Sequence, residues 1–296
     1  MLLRLGSSGQ DVIELQVLLG LSASGHFDAE TEKAVKAYQR ENGLMIDGLV
    51  GNQTLGALNA EHATTDASET VYSPIDGLTV NKHYLPEDGY LPGPTSKEYL
   101  FLHHTLGWHN PYNQVAGWAN DNRGPVATEF ILGGRSIKDN EDIYDGELVQ
   151  CMPQGAFGWH LGQTGSRYMH THSVGIELCN FGAATNGKTY TGRKVPADQL
   201  VTLPKPFKRH SVWHAYTDKQ IETLRLFILW IAQRDSIDVR QGLVAEIKKQ
   251  GVKAFDFNPL AYEGKVKGLL THANVRASGK SDVFPQPNLI DMLLSL

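Results

Sequence analysis

Apolar residues recur at helical spacing twice within the first sixty positions. Val12, Leu15, Leu18 and Leu19 come after the turn residues Ser7-Ser8-Gly9, and Ala34, Val35 and Tyr38 form a second apolar face that Gly43 ends. This part reads as a small helical unit. Inside it lies a short echo, Gly25-His26-Phe27-Asp28-Ala29-Glu30-Thr31 against Gly48-Leu49-Val50-Gly51-Asn52-Gln53-Thr54. Each copy is a Gly-led turn that feeds a helix start. Residues 61–97 then lose periodicity. Ala63 to Ser68 is polar and small, and Pro74, Pro86, Pro92 and Pro94 with Gly77, Gly89 and Gly93 punctuate the stretch beyond it, as expected of a linker and a loop-rich approach to a second domain.

From Tyr99 the pattern becomes α/β. Tyr99 to His104, Phe130 to Leu132, Leu148 to Met152 and Ser173 to Leu178 read as buried strands. Asn110-Pro111 predicts a helix start, with Asn capping and Pro at the first helical position. Thr217-Asp218-Lys219-Gln220 has the form of a capping box, and Ile221, Leu224, Phe227, Ile228 and Ile231 supply a helical core face behind it. Residues 183–212 are polar, bear Gly and Pro, and read as a long surface insertion. A short apolar helix from Asn288 to Leu296 closes the chain. The expected architecture is a mixed central sheet flanked by helices, preceded by a small all-α domain, with boundaries at 1–60, 61–97 and 98–296.

Composition narrows the function classes. The chain has 296 residues, 41% hydrophobic and 20% charged, with a net charge of -5. This suits an ordinary globular protein with room for two domains. It shows no basic footprint for nucleic acid. The charge is uneven: residues 1–98 hold 6 basic and 14 acidic side chains, against 21 and 18 for the rest, which supports a boundary. No apolar run approaches the roughly 20 residues of a membrane span. Met1-Leu2-Leu3-Arg4-Leu5-Gly6 lacks the form of a secretion signal, so synthesis in the cytoplasm is expected. Two cysteines, Cys151 and Cys179, do not make a disulfide framework.

Candidate chemistry is concentrated near the end. His272 and Asp282 are joined by a segment holding Ser278, Gly279 and Ser281, too flexible for a regular helix, so both can converge on one metal ion as the loop folds back. Neutral imidazole plus carboxylate suits Zn²⁺, which at catalytic sites usually has three protein ligands and one position for water. The third ligand is sought in Leu100-Phe101-Leu102-His103-His104-Thr105. Adjacent strand residues point to opposite faces, so spacing alone does not choose between His103 and His104. Glu177 shares a strand face with Gly175 and Cys179, where substrate can reach a carboxylate beside a small residue. Glu129 is the rival for a general base.

Two family resemblances rest on these motifs. Leu5-Gly6, Gly9, Val12, Leu15-Gln16, Gly25, Phe27, Thr31, Val35, Tyr38-Gln39, Gly43-Leu44, Asp47-Gly48, Gly51 and Thr54 resemble the three-helix type of peptidoglycan-binding domain over residues 3–58. In the second part, Phe101 to Thr105, Gly158-Trp159-His160-Leu161-Gly162, Ser173 to Leu178 and His272 to Asp282 occur in the order found in zinc-dependent N-acetylmuramoyl-L-alanine amidases of the second type, the fold shared with peptidoglycan recognition proteins. That likeness covers about 97–290, with 183–212 and part of 233–268 looking like insertions.

The resemblance implies a zinc site of His103, His272 and Asp282, with Glu177 as general base and Lys280 stabilising the amide oxyanion. It also implies that His160, with Trp159 as an apolar wall, lines the substrate groove. A wall-binding domain joined to an amidase without an export signal resembles a phage endolysin, a monomer with peptidoglycan as its partner, which acts on the wall after release. The alternatives are a non-catalytic recognition protein and a bacterial wall-remodelling or secreted effector amidase.

Overall fold

A computed structural model of the chain describes residues 2–19, 21–22, 24–42, 44–51, 54–55, 57–58, 71–138, 140–162 and 166–296. It divides into two compact units, Met1–Thr70 and Val71–Leu296. Gly43, Asn52, Gln53 and the linker stretch Ala63 to Ser68 lie outside the described residues, as does most of the expected third helix.

In the first unit, helices Gln10–Leu18 and Ala29–Glu41 enclose a core of Leu3, Val12, Leu15, Phe27, Val35, Val50 and Leu58. The sequence echo is a structural repeat organised by two buried glutamines. Gln16 accepts from Gly25 N (2.9 Å) and donates to His26 O (2.9 Å) and Thr31 Oγ1 (3.0 Å). Gln39 does the same for Gly48 N (2.9 Å), Leu49 O (2.9 Å) and Thr54 Oγ1 (3.1 Å). Gly25 and Gly48 both sit at φ 72°, a left-handed conformation that glycine adopts without Cβ strain.

The second unit is built on a seven-stranded sheet. Its strands are β1 (Val71–Ile75), β2 (Leu78–Lys82), β4 (Tyr99–His104), β5 (Phe130–Leu132), β6 (Leu148–Gln150), β8 (Ser173–Leu178) and β11 (Gly268–Thr271), in the order β1-β2-β6-β5-β8-β4-β11. Strands β5, β8, β4 and β11 are mutually parallel, while β6 runs antiparallel to β5. The segment read as linker and approach therefore holds two sheet strands from Val71 onward. Pro74 and Gly77 disguise them, but β1 lies at the sheet edge, where a missing N–H is tolerated. The short β3 (Leu91–Pro92) pairs with β7 (Ala156–Phe157) outside the main sheet.

One sheet face carries the main core. Leu100, Leu102, Val174, Ile176, Leu178 and Leu269 pack there against helix Asp218–Asp235 and helices Leu243–Gln250 and Pro287–Leu294. The predicted capping box at Thr217 and Gln220 is present, as is the Asn110 cap on helix Pro111–Ala119. The 183–212 region is not merely a surface excursion: β9 (Leu200–Phe207) and β10 (His210–His214) form a hairpin. Pro204 and Pro206 disguise β9, yet Leu203 and Phe207 reach the core. Among the described residues, no helix is long and apolar enough to cross a membrane.

Candidate metal centre at the strand ends

Parallel pairing places three candidate side chains side by side. β4 and β8 are in register with His103 opposite Glu177 and Phe101 opposite Gly175, while Leu270 of β11 lies opposite Phe101. Registered residues share a face, and His272 comes directly after the last residue of β11, so it continues the Leu270 face. His103, Glu177 and His272 therefore stand together at the carboxyl ends of three neighbouring strands, where open parallel sheets place ligands. His104 points to the opposite face and bonds Tyr216 Oη through Nδ1 at 2.9 Å. Strand alternation thus separates the two histidines that spacing left unresolved.

Asp282 arrives by the loop. Thr271 and Asn274 form a capping box that fixes the short turn His272–Val275. Ala273 N donates to Asp282 O at 3.2 Å, which closes the two limbs. Two residues on, Phe284 is stacked between Trp213 and Tyr216, with ring centroids 4.6 Å away on each side. The carboxylate is thereby anchored to the core across the sheet edge.

The three donor atoms form a nearly equilateral triangle. His103 Nδ1 lies 3.1 Å from His272 Nδ1, and Asp282 Oδ2 lies 3.4 Å and 3.3 Å from those two nitrogens. A tetrahedral ion with bonds of about 2.0–2.1 Å requires ligand separations of about 3.3 Å, so the donor set fits one. All three residues are buried, and they form a candidate metal-holding cluster among the described residues. Burial pushes the His103 imidazole down to about 4, which keeps it neutral as a ligand must be. Burial alone would raise Asp282, but the two imidazoles beside it outweigh that and hold the carboxyl well below its ordinary range.

Around this triangle the other expected residues take different positions. Glu177 Oε2 is shut from solvent without a hydrogen-bond partner among the described residues, and burial, reinforced by the Asp282 charge, pushes its carboxyl up to about 8. Lys280 is partly buried, and its charge acts on both Glu177 and His103. Trp159 packs edge-on against Phe157 and His170. His160, expected to line a groove, is partly exposed, and both its ring nitrogens are engaged within the protein. Nδ1 lies 3.0 Å from His103 Nε2, and Nε2 lies 2.8 Å from Ser173 Oγ. Glu129 is spent on a buried ion pair with Arg234, at 2.8 and 3.2 Å, away from the triangle. Cys179 is a buried thiol in a separate apolar cluster. The sequence reading missed Ser173 and the Phe284 anchor, for which short-range pattern offered no signal.

Comparison with known proteins bears on both units. Residues 94–282 match the family model described as N-acetylmuramoyl-L-alanine amidase, and residues 8–58 match the one described as "Putative peptidoglycan binding domain". No curated protein matches the chain. Among solved structures, the SleB N-terminal domain is similar at 34% identity, covering 21% of this chain and 92% of that one, with a TM-score of 0.20. PlyL is similar at 12% identity over 67% of this chain and 84% of that one, TM-score 0.36. An endolysin of a Thermus scotoductus bacteriophage is similar at 13% identity over 73% and 98%, TM-score 0.32.

Proposed function

Because the chain belongs to the N-acetylmuramoyl-L-alanine amidase family, whose model spans residues 94–282, we propose that it is a zinc hydrolase of peptidoglycan, cutting the amide between N-acetylmuramic acid and L-alanine. The observation that carries the metal reading is the triangle of His103 Nδ1, His272 Nδ1 and Asp282 Oδ2, with edges of 3.1, 3.3 and 3.4 Å. Two neutral imidazoles and one carboxylate would hold Zn²⁺ with a net positive charge. Zinc bound there supplies Lewis-acid polarisation of the scissile carbonyl and lowers the pKa of water.

The remaining steps belong to side chains. Glu177, beside His103 on the next strand, takes a proton from the attacking water and returns it to the departing L-alanine amine. Its carboxyl stands at about 8 in the metal-free chain, and a cation in the triangle lowers that toward working pH, as general-base catalysis needs. Lys280 stabilises the negative charge that builds on the amide oxygen, a contribution of about 3 kcal/mol for one such donor. Trp159 is partly exposed and offers substrate an apolar wall.

The first unit, matched by the peptidoglycan-binding model over 8–58, holds the chain on the polymer and raises the local concentration of bonds near the second. A wall-binding unit joined to an amidase unit supports the role of an endolysin. The test is metal content measured with release of L-alanine amino termini from purified peptidoglycan, before and after chelation and zinc readdition. About one zinc per chain with chelator-sensitive release is expected. Undiminished release from zinc-free protein would refute the mechanism.

A further inference from the structure

The geometry points to His160 and Ser173 as positioning residues that fix the ring tautomer of His103, and so decide which of its nitrogens offers a lone pair to the metal. This rests on the metal reading above and deepens it. A neutral imidazole has one N–H donor and one acceptor nitrogen, and the bond made by one nitrogen sets the state of the other. His103 turns Nδ1 into the triangle and Nε2 away from it, 3.0 Å from His160 Nδ1. Whichever of these two atoms carries the proton decides whether Nδ1 of His103 can be a ligand.

The far end of the chain of hydrogen bonds gives the direction. Ser173 Oγ donates its proton to the His170 carbonyl at 3.4 Å. Its oxygen is then an acceptor for His160 Nε2–H at 2.8 Å. With Nε2 protonated, His160 Nδ1 carries a lone pair and accepts from His103 Nε2–H. His103 Nδ1 is left bare, facing His272 and Asp282. The opposite sense would leave the His170 carbonyl without the Ser173 hydroxyl and put a proton on His103 Nδ1, pointing at Asp282 Oδ2 3.4 Å away. That proton would block ligation.

The ring of His160 is held in place from several sides. Phe101 and His170 meet it edge-on, with centroids at 5.8 and 5.4 Å. The bare Gly175 of β8 makes its slot: a Cβ there would lie 3.2 Å from His160 Nδ1 and 2.9 Å from Thr128 Cγ2. The support is one-sided. Nε2 of His272 is buried without a hydrogen-bond partner among the described residues, so the protein pre-orients one imidazole of the pair. Partners of this kind typically change metal affinity 10- to 100-fold when removed.

The test uses the full chain stripped of metal, as wild type, Ser173→Ala and His160→Phe. Zinc affinity is measured by competition with a chromophoric chelator, and the His103 tautomer by ¹⁵N spectra of histidine-labelled zinc-free protein, assigned by the loss of signals in His103→Ala. Zinc-free wild type should show a protonated Nε2 and a bare Nδ1. Zinc binding should weaken about 10-fold in Ser173→Ala and up to about 100-fold in His160→Phe, with far-ultraviolet circular dichroism unchanged. If His160→Phe does not fold, the Ser173→Ala affinity and the wild-type spectrum decide. A proton on His103 Nδ1 in the wild type, or zinc affinity within about twofold of wild type in the folded variants, overturns the inference while zinc binding by wild type keeps the metal reading. Wild type that binds no zinc removes that reading, and the tautomer spectrum still judges the chain of hydrogen bonds.

Discussion

Replacing Glu177 by Gln should stabilise the second unit of the metal-free chain increasingly as pH rises above about 4.5, and should remove hydrolysis from the zinc-loaded chain. The Glu177 carboxyl is pushed from 4.5 to about 8, chiefly by burial and then by Asp282. In the unfolded chain it returns to its ordinary value. Between those two values the folded state holds a proton that the unfolded state has released, so stability falls as pH rises from about 4.5 to about 8 and is level beyond. A full shift is worth about 1.4 kcal/mol per pH unit, or about 3 kcal/mol at pH 7. The residue is only partly buried although Oε2 is enclosed, so screening reduces this to about 2 kcal/mol. The glutamine side chain keeps the shape and carries no charge, so the advantage of the variant should be absent near pH 4.5, reach that figure by about pH 7 and level off at about 3 kcal/mol above pH 8. Urea unfolding followed by tryptophan fluorescence reads the second unit selectively, because Trp108, Trp118, Trp159, Trp213 and Trp230 all lie within it. The other titrating groups are common to both proteins and cancel in the difference. Parallel stability curves across that pH range would refute the reasoning. Zinc-loaded Glu177→Gln should lose about 10²- to 10⁴-fold in rate on peptidoglycan.

Other substitutions test separate parts. Asp282→Ala should lose stoichiometric zinc and amide cleavage while still sedimenting with purified walls, measured by metal analysis and a pull-down. Arg234→Met leaves Glu129 and Asp235 buried without their shared cation. It should destabilise the second unit by about 3–5 kcal/mol in urea, with partial recovery in Arg234→Met/Glu129→Gln. Phe284→Ala removes a ring that is fully buried between two others. It should cost about 3–5 kcal/mol and weaken zinc in the same competition assay, since Asp282 loses its anchor. Removing residues 1–70 should lower the rate on intact walls far more than on soluble muropeptides. Equal losses on both substrates would count against a targeting role for the first unit.

What could be read from sequence alone depended on how local its cause was. The strands β4 and β5 are buried runs with apolar residues in sequence, β8 alternates Val174, Ile176 and Leu178 with smaller or polar residues, and caps at Asn110 and Thr217 act over three residues, so all are visible in a short window. β9 was invisible because Pro204 and Pro206 argue against a strand unless it lies in a two-stranded hairpin. At the site, the His272 to Asp282 spacing announced a pair, but the choice of His103 over His104 from the residues themselves required knowing which face of β4 turns toward β11. The role of His160 was hidden for a related reason: Ser173 and His160 meet only because β8 brings Gly175 under the ring.

The stacked Phe284 gives the centre its mechanical character. His103 and His272 are carried by adjacent strand ends, and Asp282 is tethered two residues from a ring clamped between Trp213 and Tyr216. The ordering entropy of all three proposed ligands is thus charged to folding of the sheet and its core, leaving little reorganisation for the moment an ion arrives. Metal capture should therefore proceed in a single fast phase, and its loss should leave an open but undistorted socket that reloads at the same rate.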